Sequence, residues 1–267
     1  MLGGKRLLIT GVVSRESIAH SVAQRAQELG AQVVLTAFER DRDRTEAAAA
    51  ALPRPVEVLE LDVTEAAHFR RLEEELRQRW EHLDGALHAV AFAPRPALAG
   101  AFVDADLDSV QRAFATSTYS YSALGGLLSS LAPESGASLV GLDFDATAAW
   151  PVYNWMGVCK AALESVSRYL ARDLGPRRIR SNLVAAGPLL TRAATGIPEF
   201  ERLTAAWERR SPLSWDPTDT VPVADAVCFL LSDLSRAITG EIVHVDGGYH
   251  AMAADLRHVG DGGISPE

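Results

Sequence analysis

Seven short apolar runs recur along the chain, each separated from the next by a longer stretch. The runs are RLLIT (6–10), QVVLTAF (32–38), VEVLEL (56–61), ALHAVAF (86–92), ASLVGL (137–142), RSNLVAA (180–186) and EIVHV (241–245). Several are apolar throughout, the pattern of a strand buried on both faces. In the stretches between them, such as SIAHSVAQRAQELG (17–30) and VTEAAHFRRLEEELRQRW (63–80), apolar residues return at the helical period. Gly30 closes the first as a C-terminal stop, and Thr64 is the expected N-cap of the second. Strands alternating with helices imply right-handed crossovers. The predicted fold class is α/β, a doubly wound parallel sheet of seven strands with helices on both faces.

Two regions depart from this rhythm. Residues 188–222 hold two short helical patterns between prolines, an insertion expected to act as a lid or substrate loop. Within it, over 188–211, Leu189, Leu190, Ile197, Phe200, Leu203 and Trp207 are spaced to give an apolar inner face. Residues 253–267, rich in Gly and charge, are expected to form a flexible tail, leaving one domain over 1–252.

Composition narrows the function classes. Lys and Arg number 26 and Asp and Glu 35, a net charge of −9. That balance argues against a nucleic-acid partner, whose phosphates would be repelled. No apolar run approaches the ~20 residues that cross a bilayer, and MLGGKRLLITG leads directly into a strand, so no membrane association and a cytoplasmic location are expected. Cys159 and Cys228 form no CxxC pair, and the seven histidines show no metal-ligand spacing, so no metal is expected. Cys159 reads as a small buried residue rather than a nucleophile.

The candidate chemistry begins after the first strand, in TGVVSRESIA (10–19). A dinucleotide fold needs a glycine where the backbone approaches pyrophosphate, then a helix N-terminus facing the anion. Gly11 supplies the approach and Ser17 with Ile18 starts the helix, although GxGxxG is absent and Gly11 could serve only as a turn. Phe38 ends the second strand, where an acidic residue would hold a ribose diol and an arginine a 2′-phosphate. An aromatic covers adenosine and offers a 2′-phosphate nothing, so NADH is favoured; the neighbouring Arg40 keeps NADPH as the less favoured cofactor. Asp62, closing the third strand, can accept from the adenine amino group or cap a helix. Ala89 and Ala91 put small residues at the end of the fourth strand, where bulk would strike a cofactor.

GKRLLITGVVSRESIA, LELDV, GLDFDATAAWPVYNWMGVCKAALESV, RSNLVAAGP and TGEIVHVDGG, in this order over residues 3–252, resemble the NADH-dependent enoyl-acyl-carrier-protein reductases. These are a Rossmann-type branch of the short-chain dehydrogenase/reductases, and the likeness is strongest to the actinobacterial long-chain type. The superfamily's ordinary members carry Tyr-x-x-x-Lys; here Met156 holds the tyrosine's place before Lys160, and Tyr153 lies seven residues before the lysine. Seven residues on one helix lie ~10.5 Å apart along its axis, still on a shared face.

The resemblance implies that Tyr153 stabilises the enolate of a conjugated thioester and that Lys160 holds the nicotinamide ribose. It implies that Phe144, where a ketoreductase serine would fall, flanks nicotinamide and substrate. It implies cofactor contacts from Gly11, Val12, Val13, Ser17, Ile18, Phe38, Asp62, Val63, Ala89, Val90, Ala91, Leu142, Asp143, Lys160, Ala186, Gly187, Leu189 and Thr191. Substrate contacts fall to Tyr153, Met156, Phe144, Ile197 and Phe200. The implied partners are an acyl-carrier protein or acyl-CoA thioester, and the implied assembly is a homotetramer. HAVAF in place of HSIGF and a shortened lid are departures that leave the chain-length preference open. The rival readings are a ketoacyl or carbonyl reductase of the same superfamily and a cofactor-binding regulator without activity.

Overall fold

The computed structural model describes residues 1–192, 194, 197 and 199–255. Seven parallel strands form one sheet in the order β3-β2-β1-β4-β5-β6-β7. They are β1 Arg6–Ile9, β2 Gln32–Ala37, β3 Val58–Glu60, β4 Gly85–His88, β5 Ala137–Asp143, β6 Ile179–Ala186 and β7 Ile242–Val245. Each predicted apolar run contributes one strand. The order reverses direction between β1 and β4, and such a switch point opens a crevice at the carboxyl ends of the strands.

Side-chain alternation explains why these runs are apolar at nearly every position. In β1, Leu7 and Ile9 enter one core and Leu8 the other; in β2, Val33 and Leu35 oppose Val34 in the same way. The first core is covered by α1 (Ile18–Glu28) and α9 (Val221–Leu231), through Val22, Ala23 and Ala26 against Val223, Ala224 and Val227. The second lies under α3 (Ala66–Arg79), α6 (Ser120–Leu131) and α7 (Asn154–Leu174), through Leu72, Leu76, Leu124, Leu128 and Leu163. Gly30 follows α1 at φ 99°, as the stop signal requires.

Three local expectations are corrected. Thr64 does not cap α3: Glu65 is the N-cap, and Thr64 instead donates its N–H (2.9 Å) and hydroxyl (2.7 Å) to Asp62 Oδ1. The fourth strand ends at His88, so Ala89 to Phe92 leave the sheet. There the Ala89 N–H donates to Thr10 Oγ1 (3.1 Å) and the Phe92 N–H to Ser117 Oγ (3.0 Å). In the 188–211 segment the α-helix among the described residues is α8, Phe200–Arg210, with Leu203 and Trp207 fully buried while Leu190 is exposed. The predicted tail falls outside the described residues from 256 onward.

Candidate active site

The nucleotide end is built by β1 and the turn that follows it. Gly11 lies at φ 83°, and a Cβ there would be driven into the Ala89 carbonyl. Only glycine therefore lets the turn after β1 approach the exit of β4 so closely. Thr10 ties the two together, donating its hydroxyl to Leu87 O (2.9 Å) and accepting from the Ala89 N–H. Buried Thr45 donates to Val12 O at 2.6 Å and fixes the next residue. Ser17 turns its hydroxyl onto Ser14 O (2.6 Å) rather than capping α1. The first N–H groups of that helix thus remain available to an anion. Phe38, half exposed at the end of β2, carries the Arg40 guanidinium 4.9 Å from its ring centroid.

The opposite end is built by β5, α7 and the turn between them. The buried face of α7 presents Met156, Cys159, Lys160, Leu163 and Ser167 at helical spacing. Tyr153 is not on the helix, as the shared-face expectation has it, but immediately before it. Val152 at φ 58° and Asn154 at φ 35° flank it. A β-branched valine with positive φ is a genuine outlier, and such strain persists only where the surroundings hold it. Two bonds do so: Asn154 Nδ2 donates to Gly100 O (3.0 Å), and Trp155 Nε1 donates to Phe102 O (3.2 Å).

Lys160 donates one ammonium proton to Leu142 O at 2.8 Å, and burial lowers its pKa. Beside it Asp143, at the carboxyl end of β5, is buried with no hydrogen-bond partner for either carboxylate oxygen. Burial, opposed in part by Lys160, pushes that carboxyl up to about 7. The Tyr153 hydroxyl is raised well above its ordinary value by burial, with Asp143 adding to it. It is therefore a protonated donor at neutral pH. The Phe144 ring stands 5.0 Å from that of Tyr153.

Every cofactor and substrate residue expected from the sequence lies on the wall of one cavity of about 990 Å³. Gly11, Phe38 and Asp62 stand at one end, and Phe144, Tyr153 and Met156 at the other, with Lys160 and Asp143 among them. This fits a dinucleotide: a glycine turn and helix N-terminus for its phosphates, and an unpartnered buried carboxylate with a lysine for its hydroxyls. The cavity also has walls that sequence reasoning missed. Leu98 comes from α4 (Arg95–Leu98). Gln111 and Arg112 come from α5 (Leu107–Phe114), and Ala115 and Thr116 from the π-turn Ala115–Tyr119 that joins α5 to α6. No motif marks them; a π-turn, which often sits at functional sites, leaves no signature in composition. It is held in place by Ser117, paired with both backbone groups of Phe92, and by Thr118, which donates to Cys159 O at 2.8 Å.

A family model described as enoyl-(acyl carrier protein) reductase matches residues 11–250. The chain belongs to that family. It is 40% identical to an NADH enoyl-[acyl-carrier-protein] reductase of Mycolicibacterium smegmatis, an alignment covering 93% of this chain and 97% of the relative. It is also 40% identical to one from Mycobacterium avium, with the same coverage. A third such reductase, from Escherichia coli, is 38% identical over 94% of this chain and 96% of its own length. Within an enoyl reductase family, neither a serine at the end of β5 nor a tyrosine at position 156 is called for, since hydride goes to a carbon of the double bond rather than to a carbonyl carbon and no alkoxide forms.

Proposed function

We infer that the protein is an enoyl-[acyl-carrier-protein] reductase that uses NADH to saturate the trans-2 double bond of an enoyl thioester in fatty acid biosynthesis. The observation that carries this is the pairing of a displaced Tyr153 with Lys160 on one cavity wall, with Met156 in the intervening position. Methionine has no proton to give, so an alkoxide formed beside it could not be quenched, which disfavours ketone reduction. Lys160, with one donor spent on Leu142 O, keeps two for the nicotinamide ribose, and the Asp143 oxygens accept from hydroxyls in the same region. Bound there, the dinucleotide supplies hydride to the β-carbon of the substrate. As hydride reaches the β-carbon, the electrons of the double bond shift toward the carbonyl and negative charge gathers on the thioester oxygen, to which the Tyr153 hydroxyl donates a hydrogen bond; a proton from solvent or from Tyr153 then completes the α-carbon. Phe144 and Met156 keep water from that flank, which strengthens the hydrogen bond.

NADH over NADPH follows from Phe38, which brings no group for a 2′-phosphate. Acyl-carrier protein is the natural donor of the thioester, with acyl-CoA as its soluble analogue. No helix among the described residues is long and apolar enough to cross a membrane, in keeping with a cytoplasmic enzyme. We also infer a homotetramer: Leu107, Phe114, Tyr119, Val158 and Tyr169 on α5, the π-turn and α7 are exposed and would be covered by further copies. The deciding experiment follows NADH absorbance with a trans-2-butenoyl thioester and, separately, an acetoacetyl thioester. Consumption with the first alone supports the enoyl reductase; consumption with the second alone would mean a ketoreductase, and with neither a cofactor-binding regulator.

A further inference from the structure

The π-turn Ala115–Tyr119 carries Ser117 and Thr118, and Ser120 follows it; all three side chains are fully buried. A serine or threonine inside a helix ordinarily returns its hydroxyl to a carbonyl three or four residues back, within its own element. Ser120 does so, donating to Thr116 O at 2.6 Å. Its one proton is thereby committed, so His88 Nε2, 2.7 Å from the same oxygen, is the donor of their bond. Ser117 and Thr118 instead reach other elements. Ser117 accepts from the Phe92 N–H and donates to Phe92 O, each at 3.0 Å. Thr118 donates to Cys159 O, inside α7, at 2.8 Å.

Within an α-helix each carbonyl accepts from the N–H four residues on, so Cys159 O has a partner in α7 already. The Thr118 hydroxyl is a second donor, which α7 does not need for its own integrity. What this bond fixes is a distance. It fastens the residue just before Lys160 to the same turn that Ser117 fastens to the exit of β4. Ala89, Val90, Ala91 and Phe92 line the cavity from β4, and Lys160 lines it from α7. One turn of helix thus sets how far the lysine stands from the β4 wall. Neither Ser117 nor Thr118 reaches the cavity itself. Tyr153 is anchored separately, since the bonds of Asn154 and Trp155 run to Gly100 O and Phe102 O and not to the π-turn.

We propose that Thr118 is a positioning residue for Lys160, holding α7 where the ammonium group meets the nicotinamide ribose. The proposal rests on the reading of Lys160 as the ribose ligand. Leu142 O fixes the ammonium end of the lysine, and the place of α7 fixes its Cα end. Apolar packing is non-directional and lets a helix slide, whereas a buried hydrogen bond prescribes both distance and angle. Without the Thr118 donor, α7 settles on its apolar contacts alone, and the ammonium no longer satisfies Leu142 O and the ribose together. The chemistry at Tyr153 keeps its own anchors.

The test joins NADH titration by fluorescence with steady-state kinetics on trans-2-butenoyl-CoA. Thr118→Val keeps the shape and removes the donor. It should raise the NADH dissociation constant about three- to tenfold, the effect of losing one buried hydrogen bond, and leave kcat at saturating NADH within about twofold. Thr118→Ser, which keeps the hydroxyl, should bind NADH as the unaltered protein does. In a Lys160→Ala background Thr118→Val should weaken binding no further, because the group it positions is gone. Thr118→Ala carries the same expectations should the valine variant fail to fold. Unchanged NADH affinity in the folded valine or alanine variant overturns the proposal. So does a fall in kcat as large as the loss of affinity, a serine variant as weak as the valine one, or a further loss in the double variant. If Lys160→Ala binds NADH normally, the ribose-ligand reading fails and the proposal with it; a weakened Lys160→Ala beside an unaffected Thr118→Val removes the proposal alone.

Discussion

Replacing Asp143 by asparagine should stabilise the free protein at neutral and alkaline pH while leaving it nearly unchanged in acid. The carboxyl is buried at the end of β5 with both oxygens unpartnered, and its pKa stands at about 7 against an ordinary 3.8. Because the folded pKa lies above the unfolded one, the folded state binds more protons between these values. Stability is then fully present below about pH 4 and is lost as pH rises toward 7. The displacement spans about three pH units at 1.36 kcal/mol each, or roughly 4 kcal/mol, reached above pH 7. That figure is a ceiling. Asparagine also loses the carboxylate's support of Lys160, whose own pKa is already lowered by burial.

Urea denaturation of both proteins at a series of pH values reads the effect directly. The stability difference should be small near pH 4, grow across the window and level off above 7. Saturating NADH should shrink it, since ribose hydroxyls would then partner the carboxylate and stabilise the unaltered protein. A difference independent of pH would refute the argument, and so would a variant less stable at pH 8 than at pH 4 relative to the unaltered protein. Either result would mean that Asp143 has a partner in solution.

Four further outcomes follow from the site. Tyr153→Phe should lower kcat with an enoyl thioester by up to about 10²–10³, the cost of one oxyanion donor, with NADH affinity intact in a fluorescence titration. Lys160→Ala should instead weaken NADH binding; a reversal of these two phenotypes would undo the assignment of roles. Gly11→Ala should abolish NADH binding and lower the melting temperature, because alanine must adopt φ 83° against the Ala89 carbonyl. NADH should bind more tightly than NADPH in paired titrations, and Phe38→Arg should narrow or invert the preference.

The strands were legible because burial on both faces leaves no room for polar positions, so β1, β2 and β5 announce themselves as runs. The nucleotide end was legible for a related reason: Gly11 and Ala89 must be small whatever else changes around them. Tyr153 and Lys160 could be paired by spacing, but not the manner of their pairing. Helical arithmetic placed both on one face, whereas Val152 and Asn154 adopt backbone angles that no propensity predicts. Trp207 is legible as part of an apolar inner face, but its stacking with Trp150 and Tyr249 is not, since 57 and 42 positions of chain separate residues whose rings meet only once the sheet has formed. Thr64 was misjudged because Asp62, two residues earlier, competes for the same short hydrogen bonds.

The left-handed valine before Tyr153 has a consequence for how this enzyme can be improved. Val152→Gly relieves a conformational cost of about 1–3 kcal/mol, so heat-tolerance selection would find it readily. The same change frees the peptide that aims the tyrosine ring, and the thermally hardier protein should turn over more slowly. Robustness and speed are set against each other at a single backbone angle, eight residues from the lysine.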